Sequence, residues 1–465
     1  MKRAFQILGA LLLIAVGAGL WILRPVPTEE ADTVDWNELQ ATLQTSAGPA
    51  ISSQTNVVLV VACTLRKDRL EPYGFKKPTS PFLDVLAEHS VVLDRHYTQA
   101  PWTRPSSGSL LTGRWPRALQ LDNPGKRSSL TLVLGEQHTT LAEHLQTAGH
   151  ATIGSTGNPN LKAQFGLAQG LQTVWEPADT FESGTIKIDG HSQVDFLLDS
   201  LDDTPEDQPA YLQVMLTDAH TPRQTTPRYM RLFTNNLAHP GRRAKYHASI
   251  RKVDAVIARL FSEVQRRRPD TLFILTNDHG EGLRHPRNHG KGHGNHLYPT
   301  TIGGTSIWHH PSIEPTRASD LTMNLDVVPT VLGALGLPQE TPLDGADLSG
   351  AMLRGQDWPG RPFVFSETFY GKSRKSTAIS AEFQYIMNHR PSANPAKAEK
   401  LFTADDLLSE HNVVGEHPTA AIHHREAVAT WQSEMEMLWN QAGKPAEVEL
   451  SEDTRAQLEA LGYVE

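Results

Sequence analysis

The sequence predicts an α/β fold with a mostly parallel sheet, followed by a smaller C-terminal subdomain. Three observations lead there. Val57–Ala62 and Thr271–Thr276 are unbroken apolar runs of strand length, as strands covered on both faces should be. Between such runs lie segments of helical periodicity, and strand–helix alternation builds parallel sheets. After Pro342 the pattern shifts to shorter strands and one helix around Arg425 to Asn440.

Taken in order, the first strand begins near Asn56. Ser80 as N-cap and Pro81 at the first helical position open a helix through Ala87. Thr140–Leu145 reads as a second helix, followed by a strand at Ala151–Ser155, and Tyr211–Leu216 reads as another strand. From Tyr246 to Arg266 the apolar residues Ile250, Val253, Val256, Ile257, Leu260 and Val264 fall on one helical face. Leu325–Leu335 is a helix that stops at Gly336.

Composition excludes several classes. With 38% hydrophobic residues over 465 positions, the chain can bury a large core, so disorder is not its main state. The charge of −9 (43 basic, 52 acidic) argues against a nucleic-acid partner. A single cysteine excludes an internal disulfide and a Cys-rich zinc module.

The start of the chain reads as an address. Lys2 and Arg3 precede a run, Ala4 to Leu23, in which only Gln6 is strongly polar. As a helix it spans ~30 Å, one hydrocarbon thickness. The apolar stretch continues through Trp21-Ile22-Leu23, which favours an uncleaved membrane anchor over cleavage after Ala18. Either way the basic end stays in the cytoplasm and the body faces the extracytoplasmic, periplasmic side. The expected organisation is an anchor at 1–24, a linker at 25–54, a catalytic domain at 55–342 and a subdomain at 343–465.

In open α/β sheets the chemistry gathers at the carboxyl ends of strands. Three such places stand out. Cys63-Thr64-Leu65-Arg66 follows the first strand. Pro101-Trp102-Thr103-Arg104-Pro105 runs into a short helix ending at Gly113, and Thr103 is either a hydroxyl at the positive helix end, where an oxyanion and its anionic substrate are favoured, or merely an N-cap. Asn277-Asp278-His279-Gly280 follows the 271–276 strand, where an oxygen and an imidazole side by side suit Zn²⁺ or Mn²⁺. Seven histidines crowd residues 279–310 (His279, His285, His289, His293, His296, His309, His310), where an even spread predicts about one or two, so a metal or anion site is expected there.

These segments carry a resemblance. Thr64–Leu70, Thr79-Ser80-Pro81, Ala100-Pro101-Trp102-Thr103, Ser109–Gly113 and Thr276–Gly282 are similar, in order, to motifs of the sulfatase family within the alkaline-phosphatase superfamily. Asn158-Pro159-Asn160-Leu161, Asp218-Ala219-His220, Gly292-His293-Gly294 with Leu297-Tyr298, Asp326–Leu332 and the closing Leu461-Gly462-Tyr463 match further landmarks, so the resemblance covers about residues 55–465. It implies a large mixed, mostly parallel central sheet with helices on both faces and a small C-terminal sheet-and-helix subdomain. It implies a metal-dependent hydrolase or transferase of sulfate or phosphate esters, working through one divalent cation. By position, Thr103 falls on the nucleophile, Asp278 and His279 on metal ligands, and His220 and His293 on histidines that hold ester oxygens or protonate the leaving group. The substrate would be an anionic ester of a glycan, a lipid head group or a small molecule.

Two departures touch the chemistry. Cys63 stands where the family has an acidic metal ligand, and Thr103 with Ser107 replaces the Cys/Ser-x-Pro-x-Arg stretch that is converted to formylglycine. Threonine is adequate for phosphoryl transfer but lacks the elimination route by which formylglycine sheds sulfate. Cys63 has three readings: a thiolate ligand that favours Zn²⁺ over Ca²⁺, a lost ligand, or a small apolar residue ending a strand. The competing function is a catalytically degenerate member that binds or scaffolds in the cell envelope.

Overall fold

The computed structural model describes residues 39, 43, 48–123, 131–176, 189–223, 225–284, 290–390, 398–461 and 463. The expected anchor at 1–24 lies outside these. Among the described residues no helix is long and apolar enough to cross a membrane. The described part of the 25–54 segment includes Leu39 and Leu43, one helical turn apart and both buried in the core.

Eight strands carry the central sheet: β1 (Asn56–Ala62), β2 (Val91–Tyr97), β3 (Ala151–Thr156), β4 (Thr173–Trp175), β5 (Ala210–Leu216), β6 (Thr271–Thr276), β7 (Ser306–His309) and β8 (Thr316–Met323). Their order is β8-β2-β7-β6-β1-β5-β3-β4, with the short Gly303–Gly304 strand paired to β2. All neighbours run parallel except β7, which is antiparallel to both β2 and β6, and the Gly303–Gly304 strand, which is antiparallel to β2. The sheet is therefore mixed and mostly parallel, as expected. A second sheet of four antiparallel strands, β9 (Val364–Thr368) to β12 (Glu399–Thr403), packs with a 24-residue helix, Pro418–Gln441.

The period-two geometry of β1 explains its continuous apolar run. Val58, Val60 and Ala62 point into one core, under helices α1 (Pro81–Glu88), α4 (Gly190–Asp202) and α5 (Arg242–Arg267). Val57, Leu59, Val61 and Cys63 point into the other, with Leu110 and Leu111 of α2 (Thr103–Thr112) and Val327, Val331 and Leu335 of α6 (Val327–Leu335). On this second face α3 (Leu141–Thr147) adds Leu141, Ala142 and Leu145, and it begins with Thr140 and Glu143 in a reciprocal capping box.

Local expectations held in outline and failed in detail at two caps. Ser80 precedes α1 but does not cap it; its hydroxyl accepts the Glu71 N–H at 2.8 Å, and Asp254 of α5 takes the first free N–H groups, those of Phe82 and Leu83. Thr103 is not an N-cap. It is the first residue of α2, after an extended Trp102, and its hydroxyl is engaged elsewhere. Gly113 and Gly336 end their helices in the left-handed conformation (φ 65° and 67°), which their lack of a Cβ permits.

The α5 face is the thickest part of the first core. Phe261 packs on Phe82 and Phe273 at centroid distances of 5.6 and 5.2 Å. Phe261→Ala is expected to cost ~3–5 kcal/mol, read as a fall in the urea unfolding midpoint.

Candidate active site

The carboxyl ends of β1 and β6 are adjacent strands' ends, so the loops that leave them meet. Cys63 ends β1 on the α2 side. Thr64 then turns sharply with φ 59°, a conformation that costs a β-branched residue about 1–3 kcal/mol. The turn is clamped from α5: the Tyr246 hydroxyl donates to the Thr64 carbonyl at 2.6 Å and accepts the Arg66 N–H at 2.9 Å. It aims the Thr64 N–H at Asp278 Oδ1 (3.2 Å), which also accepts the N–H of His279 (2.8 Å).

Cys63, Asp278 and His279 converge: one donor atom from each lies within 4.8 Å of the other two, and all three side chains are buried. Three tests ask whether a cation fits. Asp278 Oδ2 is buried and has no hydrogen-bond partner. His279 Nδ1 lies 2.8 Å from the Gly280 carbonyl, so it carries the proton and Nε2 keeps its lone pair. Burial also pushes the His279 pKa down to about 4, leaving the ring neutral, as a ligand must be. A tetrahedral ion with these ligands needs donor separations of roughly 3.5–4 Å, so modest closure brings them into place. The residues fit the group.

Thr103 lies beside this trio. Its Oγ1 is 3.2 Å from His279 Nε2, 2.7 Å from the Tyr463 hydroxyl and 3.4 Å from Asn158 Nδ2. Asn158 also donates to Cys63 Sγ (3.6 Å) and to the Tyr463 oxygen (3.3 Å). The start of α2 is fixed from below by Ser106, whose hydroxyl donates to the Asp278 carbonyl. Arg104, next to Thr103, turns away: it donates to Leu132 O (3.1 Å) and Asn160 Oδ1 (3.0 Å) and lies over the Phe165 ring. Burial lowers its pKa to about 9.

Two histidines face the threonine from the other side. His220 Nδ1 is 2.6 Å from the Thr221 carbonyl, so its Nε2 carries the lone pair, 3.4 Å from the Tyr463 hydroxyl. The loop bearing His220 is tied to α5 through Asp218, 2.8 Å from Lys252 Nζ, which also contacts Asp189. His293 packs on His279 and His220 at centroid distances of 4.4 and 5.1 Å. Its Nδ1 lies 3.9 Å from Glu281, whose other neighbour is Arg223 at 3.8 Å. Burial works against the Glu281 charge, but His293 and Arg223 outweigh it and hold the carboxyl below its usual range.

A family model described as "Sulfatase" matches residues 55–337. This chain belongs to the sulfatase family. Membership makes the protein a sulfuric-ester hydrolase by class, and such enzymes use a divalent metal ion. Among curated relatives, this sulfatase is 24% identical to mouse arylsulfatase G over 398 residues, 69% of the chain and 72% of the relative. It is 25% identical to dog N-acetylgalactosamine-6-sulfatase over 382 residues, covering 70% and 71%. The phosphonate monoester hydrolase of Agrobacterium radiobacter shares its fold, with a TM-score of 0.66 and 17% identity over 82% of this chain and 96% of that one.

All six residues singled out from the sequence, Thr103, His220, His293, Asp278, His279 and Cys63, meet in one cluster of side chains. The histidine crowd does not act together. His296 stacks on Tyr298, His309 bonds the His89 carbonyl and packs on Phe261, and His310 pairs with Asp270, while His285 and His289 lie outside the described residues. Sequence reasoning missed Asn158, Glu281, Arg223 and Tyr463. Asn158 and Tyr463 stood inside quoted landmarks, so the signal was present without a role attached.

Gly280 lets the His279 loop press against the chain at Thr300: a Cβ there would lie 2.1 Å from the Thr300 carbonyl oxygen. Gly280→Ala is expected to destabilise the fold by ~1–3 kcal/mol, measured by denaturant titration.

Proposed function

We propose that this sulfatase-family hydrolase cleaves ester sulfates with Thr103 itself as the nucleophile, beside one divalent cation held by Cys63, Asp278 and His279. The observation that carries this reading is the placement of the Thr103 hydroxyl 3.2 Å from the lone pair of His279, with the unpaired Asp278 oxygen next to it. His279 Nε2 and Asp278 Oδ2 are 3.3 Å apart, and two acceptors facing each other across such a gap repel unless a proton or a cation lies between them. When bound, the ion would supply Lewis acidity, lowering the pKa of the hydroxyl and neutralising ester oxygens.

This chain's residues do the rest. Thr103 Oγ attacks sulfur as the bond to the alcohol oxygen breaks. His220 and His293 hold the ester oxygens and protonate the departing alcohol. Water then cleaves the sulfo-threonine and releases sulfate. Sulfated glycans are the favoured substrates, because a relative is named for 6-sulfated N-acetylgalactosamine. Phosphate or phosphonate esters are the second reading. It is favoured by Thr103, which needs no formylglycine for phosphoryl transfer, and by the named activity of the phosphonate hydrolase. The scaffold alternative draws no support from the family match, and the convergence of Cys63, Asp278 and His279 supports the enzyme.

Zn²⁺ and Mn²⁺ suit the trio better than Ca²⁺, which takes oxygen ligands only. The apolar run after Lys2 and Arg3 supports a membrane-anchored, extracytoplasmic placement of the body, with no nucleic-acid partner.

Thr103→Ala is expected to abolish turnover of nitrophenyl sulfate and of sulfated hexosamines while the protein still retains metal. Retained activity sinks the nucleophile assignment, and faster turnover of phosphate esters selects the second reading. Cys63→Asp is expected to keep the fold and shift the preferred ion from Zn²⁺ toward Mn²⁺ or Ca²⁺, followed by metal analysis and titration. A folded Cys63→Asp protein that binds no metal removes Cys63 from the ligand set.

A further inference from the structure

Tyr463 is delivered to the site by a docked segment. The helix Glu452–Ala460 is capped by Ser451, and Gln164 donates to its Thr454 hydroxyl at 3.2 Å. Leu458, Leu461 and Tyr463 pack with Phe165, and the Tyr463 N–H bonds the Leu458 carbonyl at 2.9 Å. The ring is only 3% exposed and stacks on His220 at an interplanar angle of 22°.

The hydrogen-bond geometry of this cluster sets a direction from Thr103 toward His220. Asn158 Nδ2 is a donor and points at both Thr103 Oγ1 and the Tyr463 oxygen. His220 presents a lone pair at Nε2, because its Nδ1–H goes to Thr221 O. The Tyr463 hydroxyl therefore donates to His220 and accepts from Thr103. The Thr103 proton has two acceptors in reach, the Tyr463 oxygen at 2.7 Å and His279 Nε2 at 3.2 Å, and the phenol is the nearer.

We infer that Tyr463 is a further catalytic residue, a phenol relay that carries the Thr103 proton to His220 as the nucleophile attacks. The Oγ–H bond of Thr103 breaks as the Oγ–S bond forms. The phenol oxygen takes that proton and passes its own to His220 Nε2. The imidazolium then gives a proton to the departing alcohol oxygen as the S–O bond of the ester breaks. No other reactant is needed, and the phenol ends the step as it began. The inference rests on Thr103 being the attacking group.

The test is Tyr463→Phe, which removes one oxygen and keeps the ring on Phe165 and His220. A relay predicts a fall in kcat of about 10²-fold or more with KM within about twofold, the range of positioned proton transfer. Unchanged kcat overturns the inference. A rise in kcat/KM overturns it in favour of a side chain that merely blocks the site. Leu458→Ala controls for docking: it loosens the segment but keeps the hydroxyl, and it should lower kcat less than Tyr463→Phe. An equal or larger loss assigns Tyr463 a structural role and overturns the relay. Thr103→Ala separates the two readings. If it is inactive while Tyr463→Phe is normal, only the relay fails. If it is active, the nucleophile assignment fails, whatever Tyr463 does.

Discussion

A buried carboxylate holds the site together. Asp278 stands at the end of β6, with Oδ1 saturated by the N–H groups of Thr64 and His279 and Oδ2 left without a hydrogen bond, 3.3 Å from His279 Nε2. Taking a charged oxygen out of water without a partner is expensive, so such an arrangement calls for a cation. The same carboxylate joins the β1 and β6 loops, which fixes Cys63 and His279 relative to each other. Through the Asp278 carbonyl and Ser106, it also anchors the start of α2 and hence Thr103.

The scaffold around this point is layered for rigidity. Parallel pairing of β1 with β5 and β6 brings three loops to one edge of the sheet, those carrying Cys63, Asp218–His220 and Asp278–His279. Helix α5 braces two of them, with Tyr246 on the β1 turn and Lys252 on Asp218. The strained Thr64 conformation survives because both its backbone groups are satisfied by side chains from other elements. Cys63 fits the same logic. The parity of β1 sends it to the α2 face, where a short side chain leaves room for the carboxylate and imidazole beside it.

Much of the architecture was readable without coordinates, for local reasons. A strand covered on both faces must be apolar at every position, which marks β1, β5 and β6. A helix covered on one face must repeat every three to four residues, which marks α5. Caps were less legible. Ser80 and Thr103 both look like helix starters, yet Asp254, more than a hundred residues away, takes the N–H groups that Ser80 would have capped, and the still more distant Tyr463 engages the Thr103 hydroxyl. Histidine density misled for a related reason. Composition counts residues along the chain, but His309 and His310 leave the site on a strand that runs antiparallel to β6, toward its opposite end.

The sequence by itself determined the α/β class, the strand ends where polar residues follow apolar runs, and the six residues that the fold then brings into one cluster. Each depends on periodicity or on residue type, and both are written locally. Tertiary structure alone decided that Asn158 spans the thiol and the hydroxyl, that Glu281 and Arg223 back His293, and that Tyr463 closes a chain from Thr103 to His220. Those contacts join positions separated by up to 360 residues, and their geometry exists only after the sheet has brought the loops together.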